Sequence, residues 1–333
     1  LSFRIDCAVN QTSKQTWLPT TSKSSRVLPQ ETSSKAHPTV THPGVCGTDQ
    51  HYRPYDMVLG HEGVGIVEAI GPDVKALKLQ ETAPVGARCT RHAGYMSSVW
   101  RAKSFTAPYG TGDQDQGSFG EGAVWREQLL FRIPDNLPSD AAAPLMCAGI
   151  TVWEPLTEYN VKPSDVVGRT WPPGCAVRNQ LGCEVVALSG TETKRDEALK
   201  LGAHHFVATK GVSDLKVPRK INHLLVTTSQ IPDWNQYKSI LAPRPSISPL
   251  TITDFETKLV LPHMQFILSG WKLIGSTGSP KIVYQRMLDF AGLHIIKPMI
   301  ELFPLTKQGV VDSLKKLDEG KMRYRGVLYA GGV

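Results

Sequence analysis

The stretch Cys183-Glu184-Val185-Val186-Ala187-Leu188-Ser189-Gly190, followed by a segment from Lys194 to Leu201, then Gly202 and His205-Phe206-Val207-Ala208, decides the fold. Cys183 to Leu188 is a short apolar run of the kind buried on both faces of a sheet. Lys194 to Leu201 has helical spacing and stops at Gly202, the residue type that ends helices in a left-handed conformation. His205 to Ala208 reopens an extended run. The same texture returns at His223-Leu224-Leu225-Val226 and from Trp271 to Ile274. Strands alternating with helices predict a parallel sheet covered on both faces, from Thr151 to about Thr277.

On either side of this stretch the texture changes. From Gly44 to about Cys147 the chain reads as β-rich: Val64-Gly65-Ile66-Val67-Glu68-Ala69-Ile70 is closed by the turn Gly71-Pro72-Asp73, and Pro84 to Cys89 looks like another strand entry. Downstream, Val283 to His294 and Gly309 to Glu319 read as helices, and Gly326 to Ala330 as a short strand. Residues 1–43 are rich in Ser and Thr, lack periodic apolar positions and read as a poorly ordered segment. A Ser-rich, acid-poor start also suits an organelle transit segment, but no Arg-rich amphipathic helix accompanies it. The first residue is Leu1 rather than Met, so the natural start is expected upstream.

The chain has 333 residues, which suggests two domains at roughly 150 residues each. Lys plus Arg (37) exceed Asp plus Glu (30) by 7, without a basic run, which argues against a nucleic-acid binder. The longest apolar run, Ala141 to Trp153, is interrupted by Pro144 and falls short of the roughly 20 residues of a membrane span. Six cysteines (Cys7, Cys46, Cys89, Cys147, Cys175, Cys183) are too sparse and irregular for a disulfide scaffold. They fit a reducing compartment, and a cytoplasmic location is expected.

Three segments carry the chemistry: Gly-Val-Cys-Gly-Thr-Asp-Gln-His with Cys46, Leu-Gly-His-Glu-Gly-Val-Gly with His61 and Glu62, and Leu-Met-Cys-Ala-Gly-Ile-Thr with Cys147. Two thiolates and an imidazole are a ligand set suited to zinc, with a fourth position left open. Taken singly, each cysteine is as readily a small buried hydrophobe and the His-Glu pair ordinary surface. The three segments in this order resemble the zinc-dependent medium-chain alcohol dehydrogenases, and most closely the NADP-dependent cinnamyl alcohol dehydrogenase type. Ile133-Pro134-Asp135-Asn136-Leu137-Pro138 leading into Ala141 to Thr151 belongs to the same resemblance, as do Lys200-Leu201-Gly202-Ala203 and Ile296-Lys297-Pro298-Met299-Ile300-Glu301.

The resemblance implies an α/β fold: a GroES-like β-rich catalytic domain (44–147 and 278–333) and a Rossmann-type doubly wound NADP-binding domain (148–277). It implies a homodimer through the nucleotide domains and small alcohol or aldehyde substrates, with no nucleic-acid or membrane partner. Cys46, His61 and Cys147 would hold one catalytic Zn2+, with Glu62 as its exchangeable partner, and zinc would act as a Lewis acid on the substrate oxygen. Thr48 and His51 match the family's proton relay through the cofactor ribose; without the resemblance they are an ST-turn threonine and a surface histidine.

Ser189 stands at the strand end where an NAD enzyme carries an acidic residue. With Gly190, Thr191, Lys194 and Arg195 it suits the 2′-phosphate of NADP(H), although Glu192 dilutes the charge and a solvated basic turn is the alternative. Thr151, Thr227 and Ser276 fall where the family contacts the cofactor. Trp100 and Phe119 are candidates for the substrate pocket, and core packing explains both at least as well.

Two departures stand out. The family's glycine-rich phosphate turn is replaced by Gly168-Arg169-Thr170-Trp171-Pro172-Pro173-Gly174-Cys175, and the four cysteines of a structural zinc lobe are missing from Arg91 to Lys103, so no structural zinc is expected. Blocks of unrelated composition at the N-terminus, at 91–108 and at 168–181 leave a second reading open. In it, a mis-spliced or frame-shifted coding sequence, or a decaying copy, retains zinc but no longer holds the dinucleotide.

Overall fold

The computed structural model describes residues 2–5, 19–22, 35–75, 92–96, 117–123, 125–170, 181–228, 231–253, 256–276 and 278–331. Pro84 to Cys89, Trp100 and the stretch 171–180 lie outside them. The chain divides into two compact units, Leu1–Ile150 with Gly278–Val333, and Thr151–Thr277.

In the first unit β1 (Ser2–Ile5) and β2 (Pro19–Ser22) form an antiparallel pair. There follow β3 (Lys35–Val45), α1 (Gly47–Tyr52), β4 (Glu62–Ile70), β5 (His92–Met96), β6 (Trp125–Arg126) and β7 (Leu130–Arg132). Helix α2 (Ala148–Thr157) leads into the second unit, which holds β8 (Val166–Thr170), β9 (Glu184–Ser189), α3 (Arg195–Lys200), β10 (His205–Ala208) and β11 (Ile221–Val226). It continues with β12 (Leu241–Pro249), α4 (His263–Leu268) and β13 (Lys272–Leu273). The chain returns to the first unit as α5 (Lys281–Leu293), β14 (Ile300–Pro304), α6 (Lys307–Asp318) and β15 (Arg325–Tyr329).

The first unit's main sheet runs β14-β15-β3-β4-β5-β7, with β6 paired to β3. Its pairs are antiparallel except β14 with β15. Strand β3 corrects the reading of 1–43 as poorly ordered, because residues 35–43 are most of it. Pro38 and Pro43 hide the strand in the sequence, and one of its two register shifts lies between His37 and Pro38. Strand β5 likewise shows that part of the 91–108 block is regular sheet, paired with β4 and β7. Phe119, one of the pocket candidates, lies in the core beside Val45, Leu59, Val310 and Leu328.

The second unit's sheet runs β10-β9-β8-β11-β12-β13, all parallel, as the alternating texture predicts. Its central strands are buried on both faces: Val166, Val186, Leu188 and Leu224 on one, Val167 and Leu225 with Val152 and Leu156 on the other. Gly168, Arg169 and Thr170 complete β8, where the sequence reading begins the altered turn. A Cβ at Gly168 would press on Ile221 of β11, so this glycine serves strand packing. Strand β12 escapes sequence reading because Pro243, Pro245 and Pro249 argue against an interior strand. The sheet tolerates them through a register shift against β11, with Arg244 in a left-handed conformation (φ 53°).

Two predictions follow from local features. Helix α5 ends in a left-handed Ile295 (φ 51°), an exposed β-branched residue at a position that favours Gly or Asn. Ile295→Gly should raise stability by about 1 kcal/mol. A melting temperature that stays put or falls would contradict this strain. Burial raises the Glu184 carboxyl, but Arg219 Nη1 at 2.6 Å and His205 Nε2 at 2.9 Å outweigh it and hold the group below its ordinary range. Glu184 therefore adds stability above the ordinary pKa of about 4.3 and loses it as pH falls through the folded value. Glu184→Gln should flatten the acid limb of a melting-temperature profile; an unchanged limb would deny the cluster this role.

Candidate functional site

The centre of the first unit is built from the end of β3, the start of α1 and the start of β4. Cys46 is the extended residue that opens α1, and Asp49 is the third residue of that helix. The Asp49 carboxylate is fully buried. Its Oδ2 accepts from the Cys46 backbone N–H (3.0 Å), and its Oδ1 accepts from the Gly60 N–H (3.2 Å) and from His61 Nδ1 (2.8 Å). One carboxylate thus fixes the segments carrying Cys46 and His61. It also sets the imidazole tautomer, since an ionised carboxylate only accepts, which turns Nε2 to the other side. Gly60 has φ 95°, and a Cβ there would overlap Ser118 and Phe119, so only glycine delivers the chain to His61 on this path.

Sulfur atoms of Cys46 and Cys147, a ring nitrogen of His61 and a carboxylate oxygen of Glu62 all lie within 4.8 Å of one another. A tetrahedral zinc with ordinary bond lengths separates its ligands by roughly 3.3–3.8 Å, so a small contraction closes the set. His61 Nε2 is 3.7 Å from Glu62 Oε1. Both Glu62 carboxylate oxygens are buried without a hydrogen bond, and Oε1 lies 3.2 Å from Arg325 Nη1 of β15. Gly44, opposite Glu62 across the β3–β4 pair, makes room for this side chain, because a Cβ there would overlap the carboxylate.

The electrostatics fit a cation. Hydrogen bonding between the cysteines draws the Cys46 thiol well below its ordinary range and pushes Cys147 well above it, with burial adding to the rise at Cys147. Burial pushes the Glu62 carboxyl up to about 8 against the pull of Arg325. Burial opposes charge on His61, but Asp49 overrides it and raises that ring well above the usual imidazole value. Cys46 gives its proton up readily while Cys147, Glu62 and His61 hold theirs, and a single divalent ion can replace those protons in this buried spot. The donors present fit zinc.

Thr48 Oγ1 lies 3.7 Å from Cys46 Sγ, and His51, one turn further along α1, is exposed. Sequence reasoning missed Asp49, Gly44 and Arg325. Asp49 carries a legible signal, since an acidic residue three positions after a helix-opening residue reaches back to its N–H. Arg325 carries none, because a strand far along the chain delivers it.

In the second unit the strand order reverses between β8 and β11, and the carboxyl ends of strands at such a reversal form a ligand crevice. There Thr170 Oγ1 accepts from the N–H groups of Thr227 (2.7 Å) and Thr228 (3.1 Å). The buried Arg169 donates through Nε to Thr227 Oγ1 (3.2 Å). Ser276 Oγ contacts the Thr151 carbonyl (3.3 Å) and Glu154 Oε2 (2.6 Å), which brings two of the candidates together. Ser189 is buried at the end of β9, while Gly190, Thr191 and Arg195 are exposed and Lys194 half-exposed. A Cβ on Gly190 would meet nothing, so there is open space beside this strand end. Hydroxyls, cations and free volume fit the adenosine end of a phosphorylated dinucleotide.

If Asp49 holds the donors as described, Asp49→Asn should weaken zinc binding about 10–100-fold. A chelator-competition titration that returned the original affinity would remove Asp49 from this role.

Comparison with known proteins identifies the family. Residues 39–135 match the alcohol dehydrogenase GroES-like domain, and residues 174–292 match the zinc-binding dehydrogenase family. The chain is 30% identical to the probable cinnamyl alcohol dehydrogenase 8A of Oryza sativa subsp. japonica over 312 residues, 87% of this chain and 86% of that protein. It is 30% identical to the aldehyde reductase AdhA of Synechocystis over 294 residues, 82% of each. The structure of a cinnamyl alcohol dehydrogenase from Helicobacter pylori complexed with NADP(H) superposes with a TM-score of 0.80, at 23% identity and over 98% of this chain and 97% of that one. The chain therefore belongs to the zinc-dependent medium-chain alcohol dehydrogenases, of the cinnamyl alcohol dehydrogenase type.

Proposed function

We propose that this chain interconverts aldehydes and alcohols with NADP(H), using one zinc held by Cys46, His61 and Cys147, with Glu62 as an exchangeable fourth donor. The observation that carries the reading is the convergence of these four side chains around one buried point. Bound together, the two cofactors supply a Lewis acid for the substrate oxygen and a hydride donor or acceptor. The protein's own groups do the rest. The Thr48 hydroxyl would take the proton that an alcohol gives up while passing its own proton on, and His51 on the exposed part of α1 would release a proton to water. Arg325 keeps Glu62 in reserve by offering its carboxylate an alternative cation.

Thr151, Ser189, Gly190, Thr191, Lys194, Arg195, Thr227 and Ser276 are assigned to the dinucleotide. The preference for NADP(H) is supported by the absence of an acidic side chain at Ser189 and by the two cations that follow it. The bound NADP(H) of the Helicobacter pylori neighbour is consistent with it. The relatives' activities favour a working dehydrogenase over a non-catalytic remnant.

A homodimer through the second unit belongs to the same proposal. Among the described residues strand β13 is the edge of the parallel sheet, and in the segment that precedes it Val260 (76% exposed), Leu268 (76%), Met264 (62%) and Ile267 (55%) face solvent. An unpaired edge with an apolar surround is self-complementary under two-fold symmetry. Light scattering should give twice the chain mass, and Leu268→Glu should yield monomer. A monomeric wild-type chain would contradict it.

The assay that tests the main reading is NADPH-dependent reduction of cinnamaldehyde by the zinc-loaded protein. Cys147→Ser should lower kcat/KM by at least about a hundredfold and release zinc. A wild-type protein that holds one zinc yet consumes no NADPH would favour the remnant.

A further inference from the structure

The residue after Thr191 is acidic, and its side chain is committed. Glu192 Oε1 receives the Arg195 Nε–H in an ion pair across one turn, and the Arg195 guanidinium also sits over the Phe206 ring, 5.1 Å from its centroid. Arg195 is thus held at two points, by a carboxylate on one side and an aromatic face on the other. Both members of the pair are open to solvent, with side chains 44% and 57% exposed, so a ligand can reach them. Thr191 and Thr193 share a hydroxyl contact of 2.9 Å on the same turn. The open volume beside Gly190 adjoins it in the chain.

We propose that Glu192 sets the discrimination between NADPH and NADH by withholding Arg195 from the 2′-phosphate, and that the chain consequently selects NADPH less strongly than Lys194 and Arg195 together would dictate. This rests on the NADP(H) reading above and extends it to a specificity-determining residue. The charge count gives the direction. Glu192, Lys194 and Arg195 sum to one positive charge beside a group carrying nearly two negative ones, and removing Glu192 doubles the positive charge. Removal also frees a guanidinium whose planar fork matches phosphate oxygens. NADH presents only a ribose hydroxyl at this point, so its affinity has little to gain.

The test is a fluorescence titration of the full-length wild-type chain, Glu192→Gln, Arg195→Gln and the double variant with NADPH and with NADH. Adenosine 2′,5′-bisphosphate, which lacks the nicotinamide, serves as a displacement probe that reports binding apart from turnover. Glu192→Gln should tighten NADPH and the bisphosphate about three- to tenfold and leave NADH within about twofold. The gain should vanish in the double variant. Unchanged NADPH affinity in Glu192→Gln, equal tightening of both dinucleotides, or a gain that survives the loss of Arg195 would each overturn the proposal while leaving NADP(H) dependence intact. A wild-type chain that bound neither dinucleotide would overturn both. Unfolding curves that superpose across the variants confine any difference to the ligand.

Discussion

The arrangement depends first on one buried carboxylate. Asp49 has no access to water, and a carboxylate in that position costs several kcal/mol unless it is fully hydrogen-bonded. Here two backbone N–H groups and an imidazole satisfy it, and they belong to the segments that carry Cys46 and His61. The need to satisfy the carboxylate therefore forces α1 and the approach to β4 into one register. Glu62 follows from that register, because it comes next in the chain and emerges opposite Gly44, where the missing side chain leaves it room. Arg325 then supplies the charge that makes a second buried carboxylate tolerable.

The second unit is governed by a different constraint. A parallel sheet buried on both faces exposes useful backbone and side-chain groups only at its strand ends. Thr170 and Thr227 lace the carboxyl ends of β8 and β11 together, and Ser189 closes β9 by accepting from the Thr209 N–H at 2.7 Å. Strand ends fixed in this way can present hydroxyls and cations to a phosphorylated ligand without the sheet itself adapting.

The parts of the molecule legible in the sequence are those whose signal is local. The apolar run from Cys183 to Leu188, the helix stopped by Gly202 and the run from His223 to Val226 declare a parallel sheet through spacing alone. The donors Cys46, His61, Glu62 and Cys147 are legible as a set because their residue types suit one ion and because their segments match a family. Strands β3 and β12 were hidden, since proline is normally a strand breaker and only bulges in the paired sheet make it tolerable here. Arg325 was illegible for another reason: a parallel β14–β15 pair joined to β3 brings it to Glu62, and no local pattern encodes that pairing. Arg195 illustrates a third limit. Its charge is plain in the sequence, but its engagement with Glu192 and Phe206 depends on where α3 meets β10.

The most direct test of the metal centre is X-ray absorption at the zinc edge of the purified protein. One zinc per chain is expected, with two sulfur ligands at about 2.3 Å and nitrogen or oxygen ligands at about 2.0–2.2 Å. A shell of four sulfurs, a shell without sulfur, or a protein that retains no zinc would contradict the proposed roles of Cys46, His61 and Cys147.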